Sequence, residues 1–571
     1  MTGKFKKSLV VGGLLAIFFI QAVASMVQKS PTADEAAHHI APGYSFLKTR
    51  DFRLNSTAPP LIEELCAIPL LFMKDLKLPL DHPSWKNIAR AEFSEQFLYY
   101  YNKNTDQIVF WSRIPCVLMG VLLGFLVYFW ANKLYGFRSG ILALFLYSFS
   151  PSILAHTRLV TADIGASCFI FMATLSFYMY CKNPSFKILV FSGVTFGLAQ
   201  LTKYTAVYLY PLYFVFFLLI WFFSKKDFMV DYIVSRNIRK FFFSIIFIIL
   251  IGNLVVFCGY LFEVKPLLLN DIDVGEKIAY FEAFITKVFG ENREWVKDGF
   301  INFALNQPVP FSTYIMSFLG ASNQTFVEHK FAPMLFGTEF SGSLWYYYII
   351  VFGLKTSLPV LLFLALVIIL FKRFRGKVFD ELFLLIPVVI LMVFASISIL
   401  QSGQRYILPI YPFLFVFIGK LLTVREKVQK DSCQQKWFYA LVFILAFSHL
   451  AASARIFPHY LAYYNTLVGG PDKSYKCLTH TNTDIGQDLK GLAEYLKKNN
   501  IRDVKLCYNG FIPPEVYGIE YLDIDEEELL SPKKYVYAVS VQRAAELKWT
   551  EIYEPKHKIG YSIFIYDFRY Y

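Results

Sequence analysis

Charge is scarce in this chain. Lys, Arg, Asp and Glu make up 17% of its 571 residues, where soluble domains average about a quarter. That shortage excludes a string of soluble domains, a disordered chain and a coiled coil. Cysteine is sparse as well. Eight are scattered along the sequence with no CxxC and no metal-ligand spacing, which excludes a disulfide scaffold and a zinc module. Phosphate-cradling Gly-rich loops are missing, as are GxSxG and HExxH, so no nucleotide fold, nucleophile elbow or metalloprotease helix is written here. No internal repeat is visible, which counts against transporters built from inverted halves.

What is abundant is apolar surface. Hydrophobic residues are 56% of the chain, with 60 Phe and 38 Tyr, and mean hydropathy is +0.44. A bilayer core needs about 20 apolar residues per helix. Eleven stretches qualify: 8–27, 109–131, 139–156, 163–181, 186–202, 204–223, 241–262, 345–371, 381–400, 406–423 and 437–455. The chain reads as an all-α polytopic membrane protein with about 11 transmembrane helices. The first stretch, preceded by Lys4, Lys6 and Lys7 and followed by small residues at Ala22–Ser25, resembles a signal peptide but is expected to stay as an anchor. The formal net charge of +13 sits in short clusters between the runs, which suits charges that set topology and predicts no nucleic-acid partner.

With the N-terminus cytoplasmic, the inner connections hold 21 Lys and Arg, and the short outer turns hold three, Arg158, Lys203 and Arg405. The asymmetry places the C-terminus outside the cell membrane. Segments 28–108 and 263–344 are then outer loops of a membrane module covering 1–455, and 456–571 is an extracytoplasmic domain. In the first loop, Pro59–Lys74 places Leu61, Leu65, Ile68 and Phe72 on one helical face, as in an interfacial helix kinked at Pro69. The C-terminal piece alternates a helix near 486–499 with strands near 503–508, 535–541 and 560–567, a small α/β domain. Cys116, Cys168, Cys181 and Cys258 read as core residues. Cys477 and Cys507 are candidates to pair in an oxidising compartment.

Polar residues worth attention collect at the outer ends of the runs. Asp34 and His38 are four apart, as are Glu35 and His39, so a helix there sets two acid–imidazole pairs on adjacent faces. A carboxyl near apolar surface has its pKa raised toward general-base range. Solvated loop acids with a capping role are the plainer reading. No cofactor is required by the sequence, and a divalent metal held by these four residues is the other option the spacing leaves open. Asp163 opens the fourth run, where it would also complement a helix dipole. Lys203 and Arg405 lie at outer mouths, where snorkelling to lipid headgroups competes with function. Lys355 lies about 15 Å along its run from Trp345, too deep for a cation without a partner or a water-filled cavity. An outer site has no access to nucleotide-activated sugars made in the cytosol. It would draw on a membrane-carried phosphate donor, with carboxylates for base chemistry and cations for the leaving phosphate.

Several runs resemble one family. Asp34-Glu35 through Tyr44, Lys48 to Asn55, Pro59-Pro60-Leu61, Thr161-Ala162-Asp163, Gly197 to Tyr204, Leu354-Lys355-Thr356, Arg405 to Pro409, Pro458 to Asn465 and Asp484 to Leu489 are similar, in order, to GT-C superfamily glycosyltransferases. The likeness is to the branch of protein O-mannosyltransferases and aminoarabinose transferases, glycosyltransferase family 39. The resemblance implies inverting transfer of a sugar from a polyprenyl-phosphate donor to a protein, lipid or polysaccharide acceptor. It implies Asp34 as base, with Glu35 and Asp163 as further acids of the site, and Lys203, Lys355 and Arg405 on the donor phosphate. His38, His39 and Arg158 would support them. The chain departs from the pattern at Ala58, where relatives often carry His or Lys, at Glu63, where Lys is common, and at Ile485, which replaces Trp. The tail resembles bacterial members, so a bacterial inner membrane is expected. A solute or lipid transporter using the same charges, and a catalytically silent relative, are the competing readings.

Overall fold

The structure, a computed structural model, describes residues 2–54, 58–225, 232–267, 279, 282, 286, 294–326, 334–340, 342–371, 376–423, 433–478 and 480–570. Each of the eleven apolar stretches is helical. Seven helices have the length and hydropathy to cross a membrane unaided: Phe5–Val27, Thr105–Tyr135, Ala162–Lys182, Tyr204–Phe223, Ile238–Gly259, Val378–Ile397 and Gln435–Ile456. Two further stretches are pairs bent at a break, Phe137–Ser148 with Pro151–Thr157 at 62° and Tyr347–Lys355 with Leu358–Ile369 at 112°. The first break is at Ser150, directly before Pro151, whose ring disfavours helical ψ in the preceding residue; the second is at Thr356 and Ser357, both extended, with Pro359 in the first turn of the helix that follows. The remaining two, Phe186–Gln200 and Ile410–Leu422, are shorter. The chain is an integral membrane protein.

Small residues set how closely these helices approach. A Cβ on Gly197 would lie 2.5 Å from the Gly252 carbonyl oxygen, and one on Gly193 would lie 2.6 Å from Ile251 Cβ. The Phe186–Gln200 and Ile238–Gly259 helices therefore touch backbone to backbone, as small-residue faces allow in lipid. The same device works outside the spans. A Cβ on Gly43 would lie 2.3 Å from the Glu63 carbonyl oxygen, so the Ile40–Thr49 and Leu61–Ala67 helices of the loop after the first span press together.

That loop differs from the interfacial helix expected over 59–74. The helix ends at Ala67, and a tighter turn, Ile68–Phe72, follows around Pro69. Ile62, Cys66 and Leu70 face the core together with Glu63, while Ile68, Leu71 and Phe72 face outward. Of segment 263–344, the structure describes a short hairpin, Val264–Pro266 with Pro308–Pro310, the helices Glu294–Asn306 and Ser312–Phe326, and Met334–Leu335 paired with Thr338–Glu339.

Beyond Ile456 lies a five-stranded mixed sheet, in the order Tyr521–Leu522, Val504–Cys507, Val536–Ser540, Ile563–Asp567, His557–Ile559. The first three strands are parallel and the last two antiparallel to their neighbours. The Leu489–Lys498 helix buries Leu489, Leu492 and Leu496 on one sheet face, and Trp549, Tyr566 and Phe568 cover the other. Cys477 and Cys507 are free thiols, the second held within its strand, so the expected pairing is not made. Cys258 is exposed on the outside of its helix and is no core residue.

The tight helix pair yields a prediction. Gly197→Leu forces the two backbones apart and lowers stability by about 1–3 kcal/mol, read as the thermal unfolding midpoint in detergent. Gly353→Leu, whose Cβ meets nothing within 4 Å, leaves the midpoint unchanged.

Candidate functional site

Residues 35–39 form one wide π-type turn, so the expected four-residue pairing of Asp34 with His38 and of Glu35 with His39 does not form. Each side chain finds a partner elsewhere. Glu35, fully buried, accepts two hydrogen bonds from Arg113, at 2.8 Å from both Nε and Nη2. It also accepts from the backbone of Thr32 and Val160, at 2.8 and 2.9 Å. Arg113 in turn donates to the carbonyls of Met26, Lys29 and Ser30. Burial would raise the Glu35 carboxyl, but Arg113 and the backbone donors hold it below its ordinary range. Glu35 is thus a structural tie between the first loop, the Thr105–Tyr135 helix and the 158–161 turn, and it stands outside the cavity described next.

Asp34 points the other way. Arg405 Nη1 donates to Asp34 Oδ2, joining positions 371 residues apart. Close by, Lys203 Nζ donates to Asp163 Oδ1 at 2.7 Å, and Thr161 Oγ1 to Asp163 Oδ2 at 3.1 Å. Tyr406 lies between the two cations, its ring centre 4.5 Å from Lys203 Nζ and 5.5 Å from the Arg405 guanidinium. Asp34, Asp163, Lys203, Arg405, His38 and His39 all line one cavity of about 500 Å³. Burial would raise the Asp34 carboxyl, but Arg405, then His39 and His38, hold it below its usual value. The expectation of a raised carboxyl therefore fails at both Asp34 and Glu35; the raised carboxyls lie on a helix where none was expected. Burial raises Glu63 against the hydrogen bond from His39, and pushes Glu64 up to about 7. His39 Nδ1 lies 2.8 Å from Glu63 Oε1. His38 is pushed down to about 3 by burial, Arg90 and His39.

Two more of the expected residues lie elsewhere. Lys355 Nζ donates to the carbonyls of Leu461 and Asn482, at 2.8 and 2.6 Å, and sits 4.2 Å from the Tyr464 ring centre. It ends its helix inside the protein and clamps the chain after Ile456 onto the bundle, away from the cavity wall. Arg158, 1% exposed, donates to the Ser25 carbonyl and is likewise not part of the lining. Among the described residues no three His, Cys, Asp or Glu side chains come together as a metal site. Glu35 is saturated by Arg113 and Asp34 is held by Arg405, so the four residues considered for a divalent ion do not fit one.

The C-terminal part supplies a wall that the sequence did not disclose. Ile485, Asn509 and Gln542 line the cavity. The strand-like run before Asp34 is stitched to it, Ser30 N to Gln487 O at 3.1 Å and Ala33 N to Ile485 O at 2.8 Å. Lys29 Nζ pairs with Asp488, which also accepts from Ser562 Oγ at 2.6 Å. The 484–488 run is therefore the seat that fixes the backbone leading into Asp34.

The structure is thus a helical membrane body with paired acids and cations in a cavity at one end, walled in part by a small sheet domain. Residues 106–234 match the family model described as dolichyl-phosphate-mannose-protein mannosyltransferase. That segment carries Asp163 and Lys203. No curated protein matches the chain in sequence. Among solved structures, it is similar to ArnT from Cupriavidus metallidurans bound to undecaprenyl phosphate, at 11% identity and TM-score 0.48, covering 99% of this chain and 98% of that one. The apo oligosaccharyltransferase of Archaeoglobus fulgidus is similar at 11% identity and TM-score 0.43, covering 96% and 71%. The S. cerevisiae protein O-mannosyltransferase Pmt1-Pmt2 complex bound to the sugar donor is similar at 16% identity and TM-score 0.33, covering 46% and 36%.

The Glu35–Arg113 tie makes a second prediction. Arg113→Leu leaves a buried carboxylate unpaired and lowers stability by about 3–5 kcal/mol. Replacing both Glu35 and Arg113 by Leu recovers part of that loss. Unfolding midpoints of the two variants in detergent check the order.

Proposed function

We propose that the chain is an inverting membrane glycosyltransferase that moves a sugar from a polyprenyl-phosphate-linked donor to an acceptor on a protein, lipid or polysaccharide. The observation that carries this reading is the cavity holding two carboxylate–cation pairs, Asp34 with Arg405 and Asp163 with Lys203. With two acids and two cations it is electrically balanced at rest. An arriving donor phosphate competes for Arg405 and Lys203, because both can give charge-assisted hydrogen bonds to it. Asp34, released from Arg405, becomes a stronger proton acceptor. It takes the proton of the acceptor hydroxyl as that oxygen bonds to the anomeric carbon. The bond from that carbon to the phosphate oxygen breaks, and the polyprenyl phosphate leaves with the electron pair, held by the two cations.

The positive-inside count supports an N-terminus in the cytoplasm and the cavity on the outer side, in a bacterial inner membrane. On that reading the catalytic module is 1–455, with outer loops 28–108 and 263–344, and 456–571 is extracytoplasmic. Transport through the bundle finds no support in its middle. Trp130, Phe171 and Phe413 pack ring against ring there, all fully buried.

Asp34→Asn lowers the transfer rate by about 10²–10⁴-fold in a protein that still folds. Near-normal transfer by this variant would remove Asp34 from its role. Arg405→Ala weakens polyprenyl phosphate binding by at least about tenfold, measured by titration of the purified protein.

A further inference from the structure

His39 closes the turn that Asp34 opens, and its ring borders the same cavity. The transfer steps proposed above give it no part. Its Nδ1 lies 2.8 Å from Glu63 Oε1, with the two side chains only 12% and 5% exposed. Two features of the chain make this pair. The wide turn at 35–39 breaks the pairing of His39 with Glu35 and presents the ring to the Leu61–Ala67 helix. Gly43, having no Cβ, lets the Glu63 backbone come close to the Ile40–Thr49 helix, which seats the carboxyl against the imidazole. Satisfying two buried polar groups would account for such a bond anywhere in a core. This one stands in a cavity wall, on the turn that carries the proposed base.

An imidazole whose Nδ1–H is held by a carboxylate keeps Nε2 as a proton acceptor, and the carboxylate stabilises the imidazolium that forms. The base beside it needs such a group. Arg405 holds the Asp34 carboxyl below its usual value, and a proton that Asp34 has taken must leave before that ion pair re-forms. In their ordinary states an imidazole binds a proton more tightly than a carboxylate does. The charged and titratable groups facing the dyad are Asp34 and His38 on its own turn, Glu64 and Cys66 on the helix of Glu63, Arg90 on the Arg90–Glu95 helix, and Tyr204. Burial raises the Glu63 carboxyl against His39 and Arg90, so Glu63 and His39 compete for one proton and titrate as a unit.

We propose, resting on the transfer reading above, that His39 and Glu63 form a dyad that draws the acceptor's proton off Asp34 and so resets the base. The proton passes from the Asp34 carboxyl to His39 Nε2, and Glu63 holds the Nδ1–H of the imidazolium. Water then carries the proton away, which leaves Asp34 ionised for Arg405. Both residues act through Asp34, Glu63 as a positioning residue for His39. The test uses the full chain in lipid vesicles, carrying isotope-labelled histidine for solid-state NMR. Undecaprenyl phosphate is the binding probe, and undecaprenyl-phosphate-linked hexoses are the donors. The signal lost in His39→Gln is expected to be an imidazole protonated at Nδ1 that becomes imidazolium as pH falls. In Glu63→Gln that transition moves down by about 1 pH unit, because the anion that favours the imidazolium is gone. Both variants transfer about 10–100-fold more slowly at saturating donor and keep the wild-type KM and undecaprenyl phosphate affinity. The acid limb of the Glu63→Gln rate profile moves with the NMR transition, which a merely structural pair would leave in place. The dyad is overturned if the wild type binds undecaprenyl phosphate and transfers sugar while the His39 transition ignores Glu63→Gln, or if the variants turn over at the wild-type rate. With the dyad titrating as described, a wild type that binds no undecaprenyl phosphate and consumes no donor brings down the transfer reading and the reset together.

Discussion

An ionised group in apolar surroundings has to be paired, and much of this architecture follows from that constraint. Desolvating a single carboxylate costs several kcal/mol unless a cation and further hydrogen bonds meet it. Glu35 with Arg113, Asp163 with Lys203, Asp34 with Arg405 and Glu381 with Lys420 are four answers to the same problem. They differ in what surrounds them. Glu35 has every lone pair engaged, so its pair is a fixture. Asp34 and Arg405 border open space, so theirs can be exchanged for an incoming anion.

The fixture makes the exchange useful. Arg113 draws the carbonyls of Met26, Lys29 and Ser30 together with Glu35, which fixes the loop one residue away from Asp34. From the opposite side, Ile485 and Gln487 hold the backbone of Ala33 and Ser30. Asp34 is thus clamped by a membrane helix and by the C-terminal part at once. For the proposed role of Asp34 as a base, such placement matters more than a perturbed pKa.

The helices were legible in the sequence because lipid demands long apolar runs, and all eleven are present as helices. The two bends were not read, though Pro151 and Pro359 mark them. The convergence of Asp34, Asp163, Lys203 and Arg405 was legible from their common position at the same ends of the runs. Partner choice was not. A π-type turn at 35–39 redirects side chains that a regular helix would have paired, and nothing in local spacing discloses it. Arg113 was missed although a charge eight residues into an apolar helix is a signal in itself. Lys355 was noticed for the same reason, but its partners are backbone carbonyls from a distant segment, which sequence does not display. Asn509 and Gln542 reach the cavity only through the docking of the sheet domain.

The account stands on the claim that the cavity beside Asp34 is where a lipid phosphate is received. A density map of the protein with bound polyprenyl phosphate tests this most directly. The account expects the phosphate between Lys203 and Arg405, with Arg405 turned away from Asp34. A phosphate seated elsewhere, with the Asp34–Arg405 pair intact, would contradict it.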